Sequence, residues 1–183
     1  MTILGISGSF RRGSHNTQLF RAAAYALPPG VELRPFDGLA AVPPYCEDAD
    51  ADRAPDAVEH LREQLAEADA LLIATPEYNA SIPGVLKNAI DWASRPSGKS
   101  SFKGKPAAGI GTSSGAIGTA VAQQHLRSIL AYLNVILMGQ PEAYISYKKD
   151  MIDEHGHVTD EGVRKFLQTF VDAFTTWVEK YGR

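Results

Sequence analysis

The sequence predicts a doubly wound α/β sandwich, and three observations predict it. Five short apolar segments alternate with five amphipathic ones along the 183 residues, the pattern of a parallel sheet with helices on both faces. The segment at 70–75, A-L-L-I-A-T, is apolar without alternation, as a strand covered on both faces must be. The loops after the first, third and fourth apolar segments are all rich in glycine, hydroxyls or amides. Loops at one edge of such a sheet converge on a ligand crevice.

Each element has a local reason. Residues 2–7 are short, apolar and bounded by glycine, which reads as a buried strand. From Leu19 onward a helix is expected, with Leu19, Phe20, Ala23 and Leu27 at helical spacing. Pro28, Pro29 and Gly30 turn the chain, and 31–36 alternates as a second strand. Residues 37–54 form a long polar loop, and a loop of that length is expected to make contacts. Residues 55–67 carry Val58, Leu61 and Leu65 on one helical face. After the third strand, Ser81 is expected to cap a helix whose first turn tolerates Pro83. Its apolar positions Ile82, Val85, Leu86, Ala89, Ile90 and Ala93, with Trp92 off that stripe, exceed one core contact and point to a subunit interface. Residues 106–112 make a small-residue fourth strand, and 135–138 a fifth. A polar connection then runs to Val158, and the last helix follows 3-4 spacing from Val163 to Tyr181. One domain over 1–183 in the flavodoxin-like strand order 2-1-3-4-5 is the expectation, with a ligand at the switch point between strands 1 and 3.

The opening turn, G-S-F-R-R-G-S-H-N-T at 8–17, carries the chemistry. Gly8 and Gly13 allow sharp turning, Ser9, Ser14, Asn16 and Thr17 offer hydrogen bonds, and a helix start supplies free N–H groups. With Arg11 and Arg12 beside them, these parts suit a phosphate. Gly8 and Gly13 have P-loop spacing, but Ser14 and His15 follow where a lysine and a hydroxyl would be needed. Gly5, Gly8 and Gly13 do not fit G-x-G-x-x-G. A monophosphate such as that of FMN fits best.

Composition excludes other classes. Hydrophobic residues at 44% and charged ones at 21% argue against disorder. A net charge of −3 gives no electrostatic case for nucleic acid. No apolar run is long enough for a membrane span to be expected, and Met1 leads almost directly into a strand with no cleavable apolar segment. The single Cys46 cannot form an internal disulfide, so a reducing cytoplasm is expected, and Cys46 reads as a bystander. Asp48, Asp50, Asp52 and Glu59 fall at EF-hand positions, but Arg53 stands where glycine is required, so no metal is expected. His155 and His157 are expected to be exposed rather than metal-bound.

Three segments resemble the NAD(P)H-dependent FMN reductase family of quinone, azo-dye and chromate reductases: the opening turn, T-P-E-Y-N-A-S-I-P-G-V-L-K-N-A-I-D-W at 75–92, and T-S-S-G-A-I-G at 112–118. The resemblance spans the chain to about Tyr147. It implies a flavodoxin-like fold, bound FMN, NADPH or NADH as co-substrate, and homodimers that can pair into homotetramers. By position it assigns Ser9, Arg11, Ser14, Asn16 and Thr17 to the FMN phosphate. Pro76, Glu77, Tyr78 and Asn79 would contact the ring and ribityl chain, and Ser113 and Gly115 the pyrimidine edge. Arg127, Glu142 and Tyr78 would lie at subunit contacts, and His15 stands where other residues are common.

The cofactor carries hydride chemistry, so no side chain is expected as general acid or base. A ping-pong cycle from nicotinamide to a small quinone-like, flavin, azo or chromate acceptor is the expectation, because the chain shows no second nucleotide fingerprint. The rival is a flavodoxin-type electron carrier, which meets its partners through strong single-sign fields.

Overall fold

The computed structural model describes residues 1–50 and 53–182. The order is β1 (Thr2–Ser7), α1 (His15–Tyr25), β2 (Glu32–Pro35), α2 (Asp56–Glu67), β3 (Ala70–Ala74), α3 (Gly84–Ala93), β4 (Pro106–Ser113), α4 (Ala120–Tyr132), β5 (Ile136–Leu137), β6 (Ala143–Ser146) and α5 (Glu161–Tyr181). The strands are parallel in the order β2-β1-β3-β4-β5, with β6 also paired to β4.

Alternation along β1 sorts the two faces. Ile3 packs with α1 and α5, around Leu19, Phe20, Phe170 and Phe174. Leu4 and Ile6 point the other way, to Leu61, Leu65, Leu86, Ile90 and Leu126 of α2, α3 and α4. Gly5 is small for a reason: a Cβ there would lie 2.0 Å from Phe20 Cε2.

Four sequence expectations change. The fifth strand is split: β5 pairs with Pro106 and Ala107, and β6 continues the same lane beside Ile110–Ser113. The polar connection expected after Met138 thus contains a strand, with buried Ala143 and Ile145 alternating with Tyr144 and Ser146. Helix α1 begins at His15, four residues before Leu19, because Ser14 caps it. Ser81 caps nothing; α3 starts after Pro83, and Ser81 instead pairs its backbone with Tyr78.

The fourth change concerns α3. Trp92, off the main stripe, is fully buried with Ala54 and Val58 in a small core of its own. The 37–50 segment, which contains two 3-10 turns (Asp37–Ala41 and Glu47–Asp50), reaches back over it. Trp92 Nε1 and Asn88 Nδ2 each donate to the Pro43 carbonyl at 2.8 Å, Tyr45 N–H donates to Asn88 Oδ1, and the Tyr45 ring meets Trp92 edge-on. The Trp92 side of α3 is therefore covered within the chain, while Val85 on the apolar stripe stays 36% exposed. Asp50, one of the EF-hand positions, is ion-paired to Arg62 at 2.9 Å; Asp52 lies outside the described residues. No described helix is long and apolar enough to cross a membrane. His155 and His157 are exposed, and the His157 ring bonds Asp153 and stacks on Tyr25.

Candidate flavin site

Parallel pairing sets Ser7 beside Ala74, Ala74 beside Ile110, and Ser113 beside Ser146. The loops after β1, β3 and β4 therefore leave one edge of the sheet together. Among the described residues six large hydrophobic side chains are exposed, and Phe10, Tyr78 and Ile117 (50–60% exposed) lie one on each of these loops.

The opening turn is built from its own side chains. Gly8 N–H donates to the Ala74 carbonyl at 2.9 Å. Gly13 has φ +64°, the left-handed region that favours glycine. Ser14 Oγ accepts from Thr17 N–H, the Ser14 carbonyl accepts from Gln18 N–H, and the Thr17 and Ser7 hydroxyls pair at 3.0 Å. The first-turn amides left open are those of His15 and Asn16. Ser9 Oγ accepts from Arg11 N–H at 3.4 Å, leaving its own proton to donate. Arg11 and Arg12 are exposed, and neither guanidinium is in an ion pair among the described residues.

Asn16 sits differently from its sequence assignment. Its side chain is 4% exposed and bonds Thr112 at both ends: Nδ2 donates to the carbonyl and Oδ1 accepts from the N–H, each at 2.9 Å. The side chain ties α1 to the end of β4, and only the Asn16 backbone amide faces the turn. Beside this clamp Thr112 Oγ1 is buried with no partner.

The loop after β3 is strained where it is exposed. Pro76 is buried, and Tyr78 and Ser81 exchange backbone bonds of 3.0 and 3.1 Å across a turn at Asn79 and Ala80. Both turn residues have positive φ, 52° and 59°. Strain of this kind persists where the surroundings enforce it. Glu77 does not point freely into solvent: Oε2 accepts from Ala122 N–H at 2.9 Å. Ala122 is the third residue of α4, whose N-cap Thr119 makes no side-chain cap bond. The distant carboxylate supplies the missing cap and complements the helix dipole.

Ser113 organises the third loop by donating to the Gly118 carbonyl (2.6 Å) and accepting from Gly115 N–H (3.2 Å). Gly111 below it admits no side chain, since a Cβ would stand 2.0 Å from Thr119 Oγ1 and 2.5 Å from the Thr75 carbonyl. One feature the sequence did not single out completes the edge. Tyr147, just past β6, donates its N–H to the Ser113 carbonyl and stacks on His15 at 3.6 Å. The alternation A-Y-I-S at 143–146 was the signal for that lane. Arg127 turns to the Met138 and Gly139 carbonyls, and Glu142 accepts from Tyr144 Oη at 2.8 Å. Partial burial and the bond to Glu142 push the Tyr144 phenol above its ordinary pKa.

These residues fit FMN. Open amides, a serine hydroxyl and two unpaired arginines suit the phosphate, and an apolar lip suits a flat ring. The fold and edge together define an FMN-binding protein of the flavodoxin-like class.

The chain belongs to the NADPH-dependent FMN reductase family, whose sequence model matches residues 1–150. It is similar to 2-hydroxy-1,4-benzoquinone reductase of a Burkholderia species, at 50% identity over 97% of this chain and 96% of that protein. An NAD(P)H-dependent FMN reductase of Pseudomonas aeruginosa is 47% identical over 97% of this chain and 95% of its own length. Among solved structures, the flavoenzyme NAD(P)H:(acceptor) oxidoreductase FerB of Paracoccus denitrificans superposes with a TM-score of 0.94 at 44% identity, covering 100% of this chain and 99% of that one. The chain is thus an oxidoreductase that uses FMN and a reduced nicotinamide.

Proposed function

We propose that the chain is an NAD(P)H:quinone-type reductase working by a ping-pong cycle, in which the nicotinamide leaves before a small flat acceptor enters the same place. When bound, FMN supplies the hydride acceptance and onward electron transfer. The opening turn holds the phosphate through the His15 and Asn16 amides, Ser9 and Arg11, with Ser14 and Thr17 shaping the turn. Pro76, Tyr78 and Asn79 with Ser113 and Gly115 border the ring, and backbone N–H groups there offset negative charge developing on it.

The observation that carries this reading is the exposed apolar lip, Phe10, Tyr78 and Ile117, at the edge that also carries the opening turn. A single flat slot over one anion site suits donor and acceptor in turn rather than together. The relatives named for quinone reduction support the acceptor class. A cytoplasmic homo-oligomer is part of the same reading.

Stopped-flow mixing of the FMN-loaded protein with NADPH or NADH, no acceptor present, tests it. Loss of the oxidised flavin band is expected, with recovery on adding a benzoquinone and parallel lines in double-reciprocal plots. Intersecting lines would remove the ping-pong order. Bleaching without multiple turnover would favour an electron carrier.

A further inference from the structure

The charges of this chain are segregated. The 50 residues between Asp91 and Glu142 hold five Lys and Arg and no Asp or Glu, although the chain as a whole has 21 acids against 18 cations. At the chain's overall frequency about six acids would fall there. Four of the five cations, Arg95, Lys99, Lys103 and Lys105, come from the connection between α3 and β4, and Lys105 is turned onto the Ala68 carbonyl.

That connection lies at the N-terminal edge of the sheet, opposite the flavin loops. The eight residues of β4 separate the two ends by about 25 Å. A cavity of about 350 Å³ opens there, lined by Arg95, Ser97, Ser100, Lys103, Tyr132 and Asn134 among others. Arg95, Lys99 and Lys103 are exposed, and none is in an ion pair among the described residues. Tyr132 is 86% exposed, the most exposed large hydrophobic side chain described. The acids around it are engaged: Asp91 with Lys87 at 2.7 Å, Asp69 accepting from Thr2 N–H, and Glu67, which lines the adjoining groove with Asp69 and Lys103, with Arg34 at 3.6 Å.

Helices α3 and α4 both end at this cavity. Their C-termini together bring about one negative charge, which basic residues complement. Three unpaired cations exceed that need by about two charges. Such a surplus, with hydroxyls and an uncovered aromatic ring beside it, has the composition of a phosphate-ester site rather than of a neutral surface.

We propose that this cavity binds a small phosphate monoester carrying an aromatic ring, a mononucleotide in chemical class, with Arg95 and Lys103 on the phosphate and Tyr132 stacked on the ring. Lys99 adds to the field, and the Ser97 hydroxyl is free to donate. The site is separate from the flavin edge and does not depend on the reading of the acceptor.

The test is isothermal titration of the FMN-loaded full-length protein with AMP and, separately, with inorganic pyrophosphate, at low and at physiological salt. Saturable binding of one AMP is expected, weakening as salt rises. Arg95→Gln with Lys103→Gln is expected to weaken AMP and pyrophosphate alike, on the order of tenfold to a hundredfold, with FMN content and NADPH-driven bleaching unchanged. Tyr132→Ala is expected to weaken AMP about tenfold and to leave pyrophosphate unaffected. AMP heats that survive the double substitution would place the nucleotide elsewhere, at the flavin edge for instance, and overturn the proposal. Absence of saturable binding by either probe at millimolar concentration would overturn it too. Equal loss of both probes in Tyr132→Ala would remove the stacked ring and with it the monoester class.

Discussion

Asn16 and Glu77 start from the same expectation and end in different situations. Both stand in loops that border the flavin, and both side chains are turned onto the protein's own backbone. Asn16 is buried and has both ends of its amide occupied by Thr112. Glu77 is half-buried and commits one oxygen to Ala122 N–H. The first is a clamp inside the core; the second is a strut across the rim. A polar residue in a ligand loop can thus serve the ligand by fixing the loop. Its burial and count of satisfied atoms measure how far it belongs to the fold.

The largest effect should come from Asn16→Ala. It strands the Thr112 N–H and carbonyl in a buried place, where each lost partner costs about 1–3 kcal/mol. A stability loss of about 3–5 kcal/mol is expected in urea unfolding of the FMN-free protein. A loss that appears only with FMN bound would make Asn16 a ligand contact and erase its contrast with Glu77. Gly111→Ala comes next and tests the same strand end from the other side. Its Cβ would meet the Thr75 carbonyl at 2.5 Å, which is backbone and cannot swing away. Overpacking of this kind costs about 1–3 kcal/mol, and FMN affinity should fall with it because β3 and β4 must separate. Unfolding midpoints and flavin fluorescence titration read both.

Much of this was legible in the sequence. The uninterrupted apolar run of β3 and the glycine-hydroxyl turn after β1 specify a parallel sheet and an anion pocket through local chemistry alone. The clamp and the strut were not legible, because both join residues far apart in the chain: Asn16 to Thr112, Glu77 to Ala122. Residue type marked these positions as polar and near a ligand, but pairing is a property of the packed structure. Trp92 misled for a related reason. Helical spacing shows which face is apolar but not what covers it, and here the cover is the chain's own Pro43 and Tyr45. The split of β5 and β6 was hidden because each piece is shorter than the usual strand.

Glu77 sharpens the comparison with two substitutions. Glu77→Ala removes the side-chain cap at the start of α4 and should cost about 1 kcal/mol. Glu77→Gln keeps an acceptor for Ala122 N–H and should recover most of that loss. FMN affinity should follow the same order, because the strut holds the loop that carries Tyr78. If Glu77→Gln weakens FMN as much as Glu77→Ala while stability is restored, the carboxylate charge acts on the cofactor directly.

The smallest effect lies between these two anchors, at the Asn79–Ala80 turn. Ala80 has φ +59°, and a left-handed backbone costs an L-residue about 1–2 kcal/mol. Glycine adopts it freely but loses about 0.5–1 kcal/mol through the entropy of the unfolded chain. Ala80→Gly should therefore stabilise the protein slightly, by about 0.5 kcal/mol. Its effect on the site should run the other way. A turn that alanine holds in one conformation becomes more mobile with glycine, and Tyr78, half-exposed beside it, loses its fixed approach to the ring. A small rise in midpoint with weaker FMN binding would show that the rim is held by strain, as the clamp is held by burial. A fall in midpoint would mean that packing around Ala80 already offsets its conformation, and the turn would then belong with Asn16 rather than with Glu77.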